Sequence, residues 1–415
     1  MKKMKEEVIR AFEEYYGRSD APIRVYFAPG RVNIIGEHQD YNGGHVFPAA
    51  LQMGIYGAYR VRDDKLWRFY SENTGTSVDV ERTSPLRYDS RWGWANYPIG
   101  MAEYMSAEEQ KLPGMDVYFS GNLPTGAGLS SSACILDLTG FMLSDAASES
   151  HRRLTNVLPG KGEALTIDED SVSAASRTKL AEAAQYVEYH FVGVKVGIMD
   201  QFAIAHGKKG CGILLNCLDM TFDAVPLSFG DYELLIMDTM KRRGLLDSSF
   251  NTRKEECDAA LEAVNIRRRR DGKPEVQALA SISEKEVNEI EDAVLRRRAR
   301  HVVTENARVL RFVSAMREGD IFGAATCIDE SHCSLRDDYE VSGYELDTIV
   351  ETAKRREGCI AARMTGAGFG GCAIALVERD KIESFKHGLR EGYRGITGIT
   401  PSIYDAKTGD GVYEM

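Results

Sequence analysis

Over the first sixteen residues the apolar side chains fall at helical spacing: Val8, Phe12 and then Tyr15 or Tyr16, with charged residues between them and Gly17 behind. Residues three and four apart share one face of a helix, so Met4–Tyr16 is predicted to be an amphipathic helix stopped by the glycine. The period then shortens. Arg24–Phe27 alternates, and the β-rich pieces Gly54–Val61 and Leu66–Tyr70 predict a hairpin-rich sheet within Gln52–Glu81. Trp94–Met105, Cys134–Ala147 and Lys179–Tyr189 return to helical spacing. Gly212–Leu215 and Glu233–Asp238 read as strands. Asn251–Met316 reads as mostly helix, broken near Asp271-Gly272-Lys273-Pro274. A Gly-rich loop from Arg363 leads into an apolar strand ending at Val377, and Lys381–Tyr393 makes a last helix. Ser148–Ser176 fits neither period. It is polar, with Pro159-Gly160, Gly162 and the acidic run Asp168–Asp170, and is expected to be a surface insertion with partial helix.

At 415 residues the chain exceeds the size at which a single core stops growing, so two domains are the default. A net charge of −11 argues against a nucleic-acid surface, and the short runs Arg267–Arg270 and Arg296–Arg298 read as solvated or ion-paired helix faces. The eight cysteines form no CxxC pair, and several lie in apolar runs where a reduced thiol acts as a small hydrophobe. The N-terminus is charged and no signal-peptide pattern precedes the first element, so a cytoplasmic protein with free thiols is expected. No apolar run approaches the ~20 residues that span a bilayer.

Candidate chemistry concentrates in Ala28–Pro48, APGRVNIIGEHQDYNGGHVFP. Asn42-Gly43-Gly44 is a turn signal, which predicts a strand, a polar corner and a second strand. Arg31, Glu37, His38 and Asp40 would then share one strand end, a group able to hydrogen-bond several hydroxyls of a polyol at once. A charged corner is otherwise ordinary solvated surface. Two further stretches bear on the choice. Gly121–Ala133, GNLPTGAGLSSSA, lacks the GxxxxGK[ST] pattern of a Walker loop. Its glycines nevertheless let backbone approach phosphates, and it opens a helix whose unpaired N–H groups attract anions. Arg363–Cys372, RMTGAGFGGC, reads as a second close-approach loop. Asp200, in the apolar run GIMDQF, is by itself as readily a structural acceptor as a catalyst.

Together these three stretches resemble the three motifs of the GHMP kinases. Within that family GRVNIIGEHQDY is similar to the signature of the branch that phosphorylates galactose; the mevalonate and homoserine kinase branches lack GEHQDY. The resemblance extends to Trp94-Ala95-Asn96-Tyr97, to the Gly197–Phe202 run and to SHCSLRDDYEVS at Ser331–Ser342, a structural helix end. It implies a two-domain α+β kinase: an N-terminal domain (1–205) like domain 2 of ribosomal protein S5, and a ferredoxin-like C-terminal domain (206–415). It implies ATP and Mg²⁺, a small-molecule substrate, and no nucleic-acid or membrane partner; a monomer is expected. Asp200 resembles the catalytic acid and Arg31 its paired arginine. Arg31, Glu37, His38, Asp40, Gly197 and Asp200 match the sugar contacts, with Glu37 at the C6 hydroxyl and Asp40 at C3 and C4. Trp94 lies where the family places a residue near adenine. Gly126, Ala127, Gly128, Leu129, Ser130, Ser131 and Ser132 make the phosphate loop, and Ser132 with Glu188 matches the Mg²⁺ ligands.

Phe250 stands where the family carries a tyrosine whose hydroxyl reaches the sugar near C4. The missing hydrogen bond is worth ~0.5–1.5 kcal/mol, about tenfold at most. A C6 carboxylate facing Glu37 would meet like charge at a cost of several kcal/mol, which favours a neutral hexose over galacturonate. The alternatives are a 1-kinase for galacturonate, N-acetylgalactosamine or arabinose, or a sensor that binds sugar and ATP without turnover. Intact Ser130–Ala133, Arg31 and Asp200 disfavour the sensor.

Overall fold

The computed structural model describes residues 2–81, 85–107, 112–124, 127–147, 167–168, 171–241 and 246–415, with side chains not described at 107, 167–168, 171–172 and 246–249. Gly126 and most of the 148–176 insertion therefore lie outside the described residues. The helices are α1 Lys2–Tyr16, α2 Asn96–Ala107, α3 Ser131–Ala147, α4 Ala174–Val187, α5 Met199–His206, α6 Leu246–Arg270, α7 Glu284–Asn288, α8 Ala293–Glu318, α9 Ile321–Ser334, α10 Tyr344–Lys354 and α11 Ile382–Thr397. The helical segments expected from the sequence are thus present, most of them beginning a few residues earlier.

The strands are β1 Arg24–Asn33, β2 His45–Val46, β3 Pro48–Arg62, β4 Leu66–Ser71, β5 Thr76–Glu81, β6 Gly114–Gly121, a two-stranded ribbon of β7 Ile167–Asp168 and β8 Ser171–Val172, then β9 Cys211–Asn216, β10 Phe222–Pro226, β11 Tyr232–Asp238, β12 Cys359–Met364, β13 Cys372–Glu378, β14 Ser402–Asp405 and β15 Tyr413–Glu414. The first sheet runs β15-β1-β3-β6-β4-β5, and β2 joins β9 and β10 in a three-stranded sheet. The chain's last strand thus returns to the first sheet. The fourth sheet runs β12-β13-β11-β14, all antiparallel, with helices in the two crossovers. This is the β-α-β-β-α-β arrangement of ferredoxin-like folds.

Alternation sets which faces are covered. In β13, Cys372, Ile374 and Leu376 join one apolar core with Phe312 and Val313 of α8, while Ala373, Ala375 and Val377 join another with Phe385 and Leu389 of α11. Both faces of that sheet are therefore buried, consistent with its near-continuous apolar run.

β1 and β3 pair from Arg24↔Tyr59 to Asn33↔Pro48, with the register shifting between Pro29 and Arg31. Such a bulge re-aims the side chain that follows it. Glycine is needed at the intervening position, since a Cβ on Gly30 would lie 2.5 Å from the Leu123 side chain and 2.9 Å from the Leu129 carbonyl. The corner beyond β1 is longer than a tight hairpin: residues 34–44 leave the sheet, make a 3-10 turn at Asp40–Asn42 and close on Gly43 at φ +70°.

Candidate active site

The bulge at Gly30 directs Arg31 onto Asp200, in the first turn of α5. The guanidinium grips the carboxylate with both arms, Nε to Oδ1 at 2.7 Å and Nη2 to Oδ2 at 2.8 Å, and its third nitrogen donates to the Gly128 carbonyl at 2.8 Å. Ser130 donates its hydroxyl to Asp200 Oδ2 from a left-handed backbone at φ +63°. A bidentate arginine fixes both the position and the plane of a carboxylate. The Arg31 side chain is 5% exposed whereas Asp200 is 28% exposed, so the acid is held from behind and open in front.

The open side is a cavity of about 230 Å³ lined by Arg31, Glu37, His38, Asp40, Gly197, Asp200 and Phe250, so these seven substrate candidates from the sequence converge on one recess. Ser132, Glu188 and Gly366 line it too. Asp40 accepts from the Tyr41 and Met199 backbone N–H groups. Enclosure first, and the charge of Asp200 second, raise its pKa to about 6. Gly197 is required by contact: a Cβ there would lie 2.2 Å from the Asp40 carboxylate. Gly197→Ala is therefore expected to displace Asp40 and raise the KM for the ligand of this recess at least tenfold, with a modest loss of thermal stability, read by steady-state kinetics and a melting curve.

Glu37 is 1% exposed, ion-paired with Arg363 of β12, and accepts from the Gly366 N–H at 3.0 Å. Burial pushes its pKa up, opposed by Arg363. Arg363 also donates to the Ile34 carbonyl, Thr365 to the Asn33 carbonyl, and Glu305 of α8 accepts from the Gly36 N–H. The corner is thus pinned by the C-terminal half. The pairing alters the charge expected from the sequence. Glu37 does not face the recess as a bare anion, so like-charge repulsion is a weaker bar to a C6 carboxylate than its sequence position suggests.

Glu188, at the start of a π-helical turn following α4, is 4% exposed and accepts from Gln201 at 2.7 Å. Burial raises its pKa to about 7, against hydrogen bonds from Ser132 and Gln201. A second cavity, of about 270 Å³, abuts the first, with Ser132 and Tyr97 lining both. Trp94, Phe119, Leu123, Pro124 and Ile135 make it apolar, while Ser131, Ser71, Asn73 and Thr74 add polar groups, a composition suited to a flat heteroaromatic ring. Of the Gly-rich loop, Gly128 and Ser130 support the Arg31–Asp200 pair, Ser131 and Ser132 face cavities, and Ala127 and Leu129 point into the core. All four glycines of the second loop, 366, 368, 370 and 371, have positive φ, the conformation they alone adopt freely.

The sequence reading did not single out Tyr97, Val194, Val196 and Met199 as cavity walls, nor Arg363 as the partner of Glu37. Nor did it mark Asp137 of α3, which is fully buried with neither carboxylate oxygen hydrogen-bonded among the described residues. Burial first, then the charges of Glu188 and Asp200, push its pKa well up.

The chain as a whole is similar to known proteins. The galactokinase galactose-binding signature matches residues 10–61, the GHMP kinases N terminal domain 96–156 and the GHMP kinases C terminal model 312–395. The mevalonate kinase of Methanococcus jannaschii superposes with a TM-score of 0.59 at 16% identity, covering 95% of this chain and 100% of that one, and shows a common fold. The fold, with its N- and C-terminal GHMP regions, is that of the GHMP kinases. Likeness within that class is closer to one branch. The galactokinases of Halalkalibacterium halodurans and Streptococcus mutans are each 41% identical, over 99% and 98% of this chain and 98% of each relative. Lactococcus lactis galactokinase complexed with galactose superposes with a TM-score of 0.87 at 35% identity, covering 99% of this chain and 100% of that one. The chain belongs to the galactokinase family of GHMP kinases.

Proposed function

We propose that the chain transfers the γ-phosphoryl group of ATP to the anomeric C1 hydroxyl of α-D-galactose, giving galactose 1-phosphate and ADP. The observation that carries this is the junction of the two cavities. The polar recess holding Asp200 adjoins, at Ser132 and Tyr97, the apolar slot beside Trp94. A sugar in the first and a nucleotide in the second would meet where Ser132, Glu188 and the Arg31–Asp200 pair converge. Asp200 takes the C1 proton, or holds that hydroxyl in line. Arg31 orients the carboxylate and spreads positive charge toward the transferring group. Glu37, His38, Asp40 and the Gly197 backbone fix the ring, with Glu37 at C6 and Asp40 at C3 and C4, and Phe250 covers one face.

Glu188 and Ser132 would hold Mg²⁺. Among the described residues no three His, Cys, Asp or Glu side chains cluster as a metal cage. A phosphate-bound magnesium ion needs only one or two protein oxygens, and Glu188 is a buried carboxylate with neutral hydrogen-bond partners. The ion would neutralise charge on the phosphates. A cytoplasmic monomer completes the proposal; among the described residues no helix is long and apolar enough to cross a membrane.

Coupled ADP release with Mg²⁺-ATP over galactose, galacturonate, N-acetylgalactosamine, arabinose and glucose tests the substrate. Galactose is expected to lead the panel, and saturable sugar binding without turnover would favour a sensor. Two further outcomes follow. With its pKa raised to about 6, Asp40 ionises as pH rises, so kcat/KM for galactose should climb between about pH 5 and 7 and then level; a flat profile would count against a carboxylate role for Asp40. Phe250→Tyr should lower the galactose KM by up to about tenfold, one hydrogen bond's worth, with kcat little changed.

A further inference from the structure

His38 has a left-handed backbone at φ +60°, costly for a residue with a side chain and characteristic of functional positions. Its ring is 5% exposed. Nδ1 lies 2.7 Å from the Tyr41 hydroxyl, which lies 2.8 Å from that of Tyr339, which in turn lies 3.1 Å from Cys257 Sγ. Nε2 makes no close hydrogen bond among the described residues, the Ala367 backbone being the nearest acceptor to the ring, and the ring lines the sugar recess. Tyr41 lines that recess too, whereas Tyr339 and Cys257 are buried and do not. A row of buried hydroxyls that ends on the hidden nitrogen of a substrate-facing imidazole is more than packing, because the hydrogen bond at one ring nitrogen decides what the other can do.

The far end of the row allows every hydrogen bond in it to run toward His38. Asn42 donates one amide proton to the His38 carbonyl at 2.7 Å, and its amide also hydrogen-bonds the Cys257 sulfur. A sulfur that accepts from Asn42 has its own proton free for the Tyr339 oxygen. Tyr339 then donates to Tyr41, and Tyr41 donates to Nδ1. A phenol donating to an imidazole nitrogen is also the better-matched pair, since the phenol is the stronger acid and the ring nitrogen the stronger base. Burial first, then His301 and Arg253, hold the imidazole well below its usual pKa, so it carries a single proton. With Nδ1 accepting, that proton sits on Nε2.

We propose that Tyr41 and Tyr339 are positioning residues that fix His38 as the Nε2–H tautomer, making it a hydrogen-bond donor on the wall of the sugar recess beside the accepting carboxylates of Glu37 and Asp40. The proposal rests on the galactose reading above. A galactose hydroxyl bridging such a site donates to a carboxylate and accepts from His38. The row also sets the plane of the ring, which Phe250 and Tyr339 flank with centroids 5.8 and 4.7 Å away.

The tautomer is read directly from the ¹⁵N resonances of His38 in the ligand-free protein, which needs neither turnover nor a variant. The Nε2–H form is expected, and an Nδ1–H form would overturn the proposal. Tyr41→Phe should raise the galactose KM about three- to tenfold, the worth of one hydrogen bond, with kcat and the KM for ATP within twofold. Tyr339→Phe should act in the same sense and less strongly. In a His38→Gln background, where an amide N–H stands in for Nε2–H, Tyr41→Phe should change the galactose KM less than twofold. An equal effect in both backgrounds would mean packing and would also overturn the proposal. If the parent protein phosphorylates no galactose, the functional reading fails while the tautomer measurement still stands.

Discussion

Asp200→Asn is expected to lower kcat about a thousandfold while leaving the KM for galactose within about tenfold, since a positioned general base contributes ~10²–10⁴ and the isosteric amide keeps most of its contacts. Arg31 Nη1 keeps its bond to the Gly128 carbonyl, and the amide oxygen still accepts from one arm of the guanidinium. The carboxylate's charge and its ability to take a proton are what go. Asp200→Glu retains both but moves the carboxylate by one methylene, and a misplacement of ~1 Å costs ~10²-fold. Single-turnover rates with saturating ATP and galactose would measure both variants. An Asn variant retaining more than a tenth of the parent rate would remove Asp200 from the reaction.

The second large effect concerns how the two halves are held. Arg363→Leu leaves Glu37 buried against an apolar side chain and should destabilise the protein by about 3–5 kcal/mol, the usual result of removing one partner from a buried pair. The Gly366 N–H would still satisfy one oxygen of Glu37, and the pair's bonds to Ile34 and Gly366 show how much backbone depends on it. Adding Glu37→Gln should restore part of the loss, because a neutral amide is cheaper to bury than an unpaired carboxylate. Urea unfolding of the single and double variants measures the coupling. A double variant no more stable than Arg363→Leu alone would mean that Glu37 is not the group left stranded.

What the sequence could show divides along physical lines. Elements governed by local periodicity were legible: the α1 pattern, the β11 and β13 runs and the α11 helix are where spacing places them. The convergence of Arg31, Glu37, His38, Asp40 and Asp200 was legible through motifs that resemble a known family, and the recess brings them together. Contacts between residues far apart in sequence were not. Arg363 lies 326 positions from Glu37, and nothing in RMTGAGFGGC says that its first residue reaches back to neutralise the sugar corner. Tyr339 is 298 positions from Tyr41, and its segment read as a helix end because its hydroxyl's partner is set by tertiary packing alone. The length of the corner was not legible for a related reason. Asn42-Gly43 supplies the positive φ of a reversal, but the peptide between Asn33 and Asn42 is held off the sheet by Arg363, Thr365 and Glu305, which lie in the other half of the chain. Asp137 passed unnoticed inside an apolar helix, where one acid carries no periodic signal.

The most direct measurement of the central claim is ³¹P NMR of the product formed from galactose, ATP and Mg²⁺ by the unmodified protein. Transfer at the C1 hydroxyl beside Asp200 should give, besides the two ADP resonances, one phosphomonoester signal coupled to the anomeric proton of the α form and lost in Asp200→Asn. A phosphate on another hydroxyl would contradict the placement of the sugar between Glu37 and Asp200, and ADP release without phosphorylated sugar would contradict the activity itself.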